Sequence, residues 1–148
     1  MAYGGMPMRS PSDLADAFRS SGRKLTPQRE RIFRVLHENP THPTAEAVHA
    51  EVVADMPSVS LRTVYSTLHD LAEMGELVQL DLGTGSSRFD PNVSEHHHLV
   101  CDGCGRVQDV DLAVPAFELD VDAARGFHVD ATQIVLRGRC IACSDPVA

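Results

Sequence analysis

Residues 60–90, SLRTVYSTLHDLAEMGELVQLDLGTGSSRFD, pass from a helix pattern to a hairpin pattern within one stretch of chain. Ser60 can accept a hydrogen bond from the first helical turn. Leu61, Val64, Leu68 and Leu71 then recur at spacings of three, four and three. Gly75 ends the helix. Leu77-Val78-Gln79-Leu80 is expected as a strand, Gly83-Thr84-Gly85 as a turn and Ser87-Arg88-Phe89 as the returning strand. A hairpin directly after a helix with a polar outer face predicts the wing of a winged helix-turn-helix.

Three helices are expected upstream. Ser12 is placed as the cap of the first, with Leu14, Ala17 and Phe18 on one face and Gly22 at its end. Thr26 and Pro27 are the N-cap and first residue of the second, which turns Ile32, Val35 and Leu36 inward and stops at Asn39-Pro40. The third runs from Thr44 to about Asp55, with Ala47, Val48 and Val52 inward, and Pro57 closes it. Helices two to four alone fit a plain helical bundle equally well; the hairpin decides for the winged helix.

Beyond Asp90-Pro91-Asn92 the pattern changes. Short strands are expected around Leu99-Val100 and Val107–Val110, a helix between about Val114 and Arg125, and a strand over Gln133–Leu136. The fold class is α+β. Residues 1–11 are expected as a flexible N-terminus, 12–91 as the winged-helix domain, and 92–148 as a small α/β domain.

With 148 residues, 43% hydrophobic and 23% charged, the chain fits a globular protein. No apolar run reaches the roughly 18 residues of a membrane helix. The start, Met1 to Pro7, lacks the apolar core of a secretion signal, so a cytoplasmic setting without a membrane partner is expected. The net charge of -8 is unevenly spread. Arg19, Arg23, Lys24, Arg29, Arg31 and Arg34 face only Glu30 in their stretch, whereas residues 92–148 hold four arginines against nine carboxylates. That polarity is compatible with DNA binding through one face, and equally with a solvated helix face.

Two CxxC pairs, Cys101/Cys104 and Cys140/Cys143, stand 35 residues apart. Each spacing lets a tight turn aim two sulfurs at one ion, and four thiolates suit closed, structural zinc (Zn2+). A C-terminal domain of about 55 residues is small enough to need such a staple. Unrelated core cysteines or a redox dithiol are the alternatives. Histidines and carboxylates gather near the expected domain boundary. His96 and His98 share one face of a strand while His97 points away, and Asp109 lies on the next strand. Asp90 leaves the hairpin and His42 sits between helices two and three. Three imidazoles with two carboxylates suit Fe2+ or Mn2+. Singly, His42 is also an ordinary loop histidine and Asp90 a turn-former before Pro91.

The succession of winged helix, histidine-rich strand and two CxxC pairs resembles the ferric uptake regulator (Fur) family of metal-dependent bacterial repressors, across roughly residues 12–144. The segments 23–29 (RKLTPQR), 42–45 (HPTA), 63–65 (TVY) and 86–90 (SSRFD) look most like its peroxide-sensing branch. The resemblance implies a regulatory site on His42, Asp90, His96, His98 and Asp109, with His42 or His96 as the imidazole oxidised. It also implies a homodimer built on the zinc-stapled domain and a double-stranded DNA operator with pseudo-palindromic half-sites. Peroxide would be a signal and not a substrate, and the protein would not be an enzyme. Contacts to the DNA backbone are expected from Arg23, Lys24, Arg29 and Arg62, and to bases from Arg62, Thr63, Tyr65 and Ser66. Ser66 departs from the Asn or Arg that relatives often carry, so base preference does not transfer. An iron-responsive repressor of the same family is the alternative, and a zinc enzyme a remote one.

Overall fold

The computed structural model describes residues 8–114, 118–120, 122 and 124–144. Four helices lead: α1 (Pro11–Ser20), α2 (Pro27–Leu36), α3 (Ala45–Asp55) and α4 (Leu61–Glu73). Each opens on a hydroxyl that accepts from the N–H three residues on: Ser10, Thr26, Thr44 and Ser60. Such a cap contributes about 1 kcal/mol. The first cap is Ser10, not Ser12, because Pro11 occupies the first helical position as Pro27 does in α2.

The helices bury one apolar stripe each. Leu14, Phe18, Ile32, Phe33, Leu36, Val48, Val52, Val64, Leu68 and Leu71 form the main core, with the Phe18 and Phe33 rings 5.4 Å apart. Ala15 and Ala45, not Ala17 and Ala47, complete the inward faces, in step with Phe18 and Val48 at i+3. Gly75, at φ +75°, reverses the chain after α4.

The wing pairs β1 (Val78–Leu80) antiparallel with β2 (Arg88–Asp90), Leu80 opposite Arg88. The second sheet has the order β4-β3-β5, where β3 is His97–Cys101, β4 Val107–Val110 and β5 Val135–Gly138. β4 runs antiparallel to β3 and β5 parallel to it. β5 lies two residues further along than the sequence pattern placed it. Its register sets Gly138 opposite Cys101 and so delivers Cys140 to the first CxxC turn. Five residues of the helix expected between Val114 and Arg125 (115–117, 121 and 123) lie outside the described residues. The described residues of that span form irregular chain and turns, with Ala124 N–H bonded to the Asp120 carbonyl at 2.8 Å.

A second apolar cluster joins Val100, Val107 and Val135 to Leu80 and Leu82. Those two leucines come from the wing, 5% and 7% exposed. Packing therefore crosses the boundary expected at residues 91–92. No helix among the described residues is long and apolar enough to cross a membrane.

Candidate metal centres

Three pieces of chain converge on one point. The turn before α3 supplies His42, β2 ends on Asp90, and the second sheet with its lead-in supplies His96, His98 and Asp109. His98 and Asp109 are direct cross-strand partners. One donor atom from each of the five residues lies within 4.8 Å of all the others. Asp90 Oδ2 is 3.2, 2.7 and 3.2 Å from Nε2 of His42, His96 and His98. Asp109 Oδ1 is 2.6, 3.0 and 3.4 Å from the same three nitrogens.

Those distances test the fit to a metal. Ligand atoms about 2.1 Å from a shared ion stand roughly 3.0 Å apart when at right angles. Three ring nitrogens and two oxygens packed at such spacings compete for the same few hydrogen bonds, whereas one cation satisfies all five. Burial adds to this. His42, Asp90 and His98 are each at most 2% exposed, so unbalanced charge there is costly. Burial works to raise the Asp90 pKa, yet the His42 and His98 imidazoles and the Asn92 N–H hold it well below the usual carboxylate range. Burial likewise works to lower His42 and His96, but Asp90 and Asp109, and for His96 also the Ser94 carbonyl, raise both above 6.5. Three imidazoles and two carboxylates form a mixed nitrogen and oxygen donor set that could hold a divalent metal ion.

Neighbouring groups hold the rings and carboxylates in place. His96 Nδ1 donates to the Ser94 carbonyl at 2.6 Å. The Gln133 amide nitrogen lies 3.2 Å from His98 Nδ1 and donates to it in the tautomer whose Nε2–H faces the carboxylates; were Nε2 bound to a metal, Nδ1 would carry the proton and the amide would turn its oxygen to accept. Asn92 N–H donates to Asp90 Oδ1 at 2.9 Å, and Asn92 Nδ2 lies 3.4 Å from Asp109 Oδ2. Asn92 Oδ1 accepts from the Ser94 N–H and hydroxyl, which fixes the orientation of the amide. Sequence reasoning did not find Asn92, Ser94 or Gln133. The alternation 90, 92, 94, 96 was the available signal for the first two. Gln133 carried none, being 35 residues from His98.

His42 stands apart from the other four. Its φ is +52°, a left-handed conformation unusual for a residue with a side chain, and its buried Nδ1 has no hydrogen-bond partner among the described residues. The turn is held from the wing, where Phe89 N–H donates to the Pro43 carbonyl at 3.0 Å. A cavity of about 260 Å³, lined in part by Met8, Asn39, Asp90, Asn92 and Asp109, opens the site on its carboxylate side.

At the second centre, the four sulfurs also lie within 4.8 Å of one another, and Cys104 and Cys140 are 3.8 Å apart. A tetrahedron with metal–sulfur bonds of about 2.3 Å has edges of roughly 3.8 Å. None of the four is in a disulfide. The Cys140 N–H, 3.3 Å from Cys101 Sγ, leads the backbone donors that lower the Cys101 thiol to about 6; the neighbouring sulfurs, Cys140 first, push Cys143 up to about 12. Four sulfurs at this spacing suit a cation at their centre, which would hold all of them as thiolates. A Cβ on Gly103 would stand 2.8 Å from Cys143 Cβ, so the first turn closes only with glycine there.

The residues expected at DNA divide into two groups. Arg62, Tyr65 and Ser66 are exposed on α4, and Lys24 is exposed ahead of α2. Lys24 and Arg62 make no ion pair among the described residues. Arg23 and Arg29 are engaged: Arg23 reaches Asp70 at 3.3 Å and Glu73 at 2.9 Å. Arg29 donates to the Lys24 carbonyl at 2.6 Å, lies 3.6 Å from Asp70 and stacks over Phe18. Thr63 is half-buried and pairs with the Ser60 cap, and the Tyr65 hydroxyl donates to Glu46 at 2.7 Å.

The sequence matches the Ferric uptake regulator family over residues 20–137. The peroxide-responsive repressor PerR of Staphylococcus aureus is 34% identical over 132 residues, 87% of this chain and 88% of that protein. The fold is similar to that of the Helicobacter pylori ferric uptake regulator Fur, at TM-score 0.74 and 18% identity over 97% of this chain and 99% of that one. The Pseudomonas aeruginosa ferric uptake regulator with manganese shares 26% identity at TM-score 0.61, over 85% and 96% of the two chains.

Proposed function

The chain belongs to the Ferric uptake regulator family, a family of transcriptional regulators and not enzymes, and on that premise we propose that it is a peroxide-sensing, metal-dependent repressor. The observation that carries this reading is the five-residue cluster His42, Asp90, His96, His98 and Asp109, joined by the likeness to a peroxide-responsive repressor. These five would hold Fe2+ or Mn2+, and Cys101, Cys104, Cys140 and Cys143 one structural Zn2+ per chain.

His42 and Asp90 come from the winged-helix segment, 12–91, and the other three ligands from 92–148. Gathering all five fixes the wing and α4 relative to the second sheet. In a homodimer this sets the spacing of two α4 helices, which must meet operator half-sites about one helical turn apart. With a metal bound across them, His42 and Asp90 would hold the winged-helix segment in the DNA-competent arrangement, which would bind the ion better than others. Exposed Leu99, Leu136 and Ile141 form an apolar face on the second sheet that supports dimerisation there. Arg62, Tyr65 and Ser66 face outward for bases, and Lys24 for phosphate; the engaged Arg23 and Arg29 contribute chiefly by positioning α4. Cytoplasmic localisation follows from the same reading.

Fe(II) at this site would supply one-electron reduction of peroxide beside the imidazoles, a chemistry that Mn(II) does not provide. The cavity lined in part by Asp90 and Asp109 would give a small molecule such as peroxide a route to the carboxylate side. His42, on a strained turn and with no acceptor for Nδ1 among the described residues, is the least secured imidazole, and its loss would release the wing-side ligands. The test is mass analysis of the Fe(II) and Mn(II) forms after peroxide, with DNA binding followed in parallel. One oxygen gained on the peptides of His42 or His96, in the Fe(II) form only, is expected together with loss of DNA binding. Fe(II)-dependent DNA binding that survives peroxide would instead make the protein an iron sensor.

A further inference from the structure

Two arginines join the wing to the first CxxC turn. Arg137, in β5, donates Nη1 to the Leu82 carbonyl of the wing at 2.7 Å. Its Nη2 and Nε donate to Asp102 Oδ1 at 2.6 and 3.0 Å, and Asp102 lies between Cys101 and Cys104. Arg88, in β2, donates Nη2 to the Gly105 carbonyl, next to Cys104, at 3.0 Å and Nη1 to the His42 carbonyl at 3.3 Å. One guanidinium therefore touches both the residue that follows the thiolate turn and the strained residue of the histidine cluster. Gly83 lies beside the Arg137 guanidinium and Gly105 beside that of Arg88, both in the left-handed conformation that favours glycine, at φ +70° and +74°. Beneath the arginines, Leu80 and Leu82 are buried against the second sheet.

We propose that Arg88 and Arg137 latch the wing onto the Cys101–Cys104 turn, with Arg88 as a positioning residue for His42, so that the two metal centres are energetically coupled. Planar guanidinium groups suit this role because each offers several donors in a fixed fork. A zinc-held turn keeps the Gly105 carbonyl and the Asp102 carboxylate in place. Arg88 carries that order to the His42 backbone, and metal at the histidine cluster returns it by holding the wing down. Coupling of this kind is reciprocal. The link to His42 rests on the reading of His42 as a regulatory ligand; the latch on the thiolate turn does not.

The experiment uses the full-length, zinc-loaded chain. Mn(II) uptake is followed by loss of the free-ion electron paramagnetic resonance signal, and zinc release by a chromogenic chelator with and without Mn(II). In the unmodified protein, Mn(II) is expected to slow zinc release. Arg88→Ala should weaken Mn(II) binding by about tenfold, the scale for groups that orient a metal ligand, and abolish that slowing. Arg88→Lys, able to reach one carbonyl at a time, should fall between. Arg137→Ala should speed zinc release even without Mn(II), circular dichroism verifying that it is folded. Zinc release from Arg137→Ala at the original rate would overturn the latch. Mn(II) affinity within twofold of the original in Arg88→Ala, or slowing that persists there, would overturn the coupling. If the unmodified protein takes up no Mn(II), the coupling and the regulatory assignment both fail, and the Arg137→Ala zinc rate still judges the latch.

Discussion

The two candidate centres differ in how the chain assembles them. The thiolate centre takes its four ligands from two tight turns at the ends of β3 and β5, near the surface, where Ile141 is 97% exposed. The histidine centre draws on the turn before α3, the end of the wing and the second sheet, and most of its ligands are fully buried. A centre made from local turns can close before the rest of the molecule is arranged. One that needs three distant segments exists only in a single arrangement of them. Such a division suits the first centre to holding a shape and the second to reporting on one.

The largest effect that would test this contrast is loss of a thiolate. Cys143→Ala should lose its zinc and with it the order of the C-terminal sheet, since structural zinc contributes on the order of 10 kcal/mol or more to a small domain. Metal content and analytical ultracentrifugation check it; a dimer that kept its zinc would break the comparison. His42→Ala should do the opposite. It should leave zinc and secondary structure unchanged while Mn(II) affinity falls by about a hundredfold or more, above the range for an outlying partner, as measured by titration.

A smaller effect is expected from pH. His42 and His96 are raised above 6.5, so the stability they give the metal-free protein is full below 6.5 and is lost as pH rises through their folded values. Asp90 is lowered from 3.8, so its contribution is present above 3.8 and is lost as pH falls. The metal-free site is therefore most stable between these limits. Because metal must displace the imidazole protons, Mn(II) affinity should rise as pH increases above 6.5, with proton release measurable by calorimetry in buffers of different ionisation heat. Zinc retention should change far less across that range. The smallest effect falls to Gln133→Leu. It removes the amide partner of His98 Nδ1 and should weaken Mn(II) by roughly tenfold without disturbing zinc; titration giving an unchanged affinity would leave His98 held by β3 alone.

The same difference between local and distant assembly explains what was legible in the sequence. Thr26-Pro27 and Ser60 cap helices where expected because a cap is decided within four residues. The CxxC pairs are visible for the same reason. The five-residue cluster was approached by residue type and strand alternation, and the structure brings those five together. Its supports were not visible, because Gln133 and Arg88 meet their partners only through sheet pairing and the docking of the wing. Arg23 and Arg29 belonged to a basic run in the sequence. Packing of α4 against α2 sets Asp70 beside them, which no local pattern records.

The burial of Leu80 and Leu82 beneath the second sheet has a consequence for recombination between relatives. A chimera joined at residues 91–92 would place one protein's wing leucines against another protein's Val100, Val107 and Val135. Exchangeable units in this molecule therefore do not coincide with its apparent domains. A joint near Gly75 would spare those contacts, but it would part Leu77 and Phe89 from the helical core and His42 from the other four residues of its cluster, so neither joint leaves every packed unit whole.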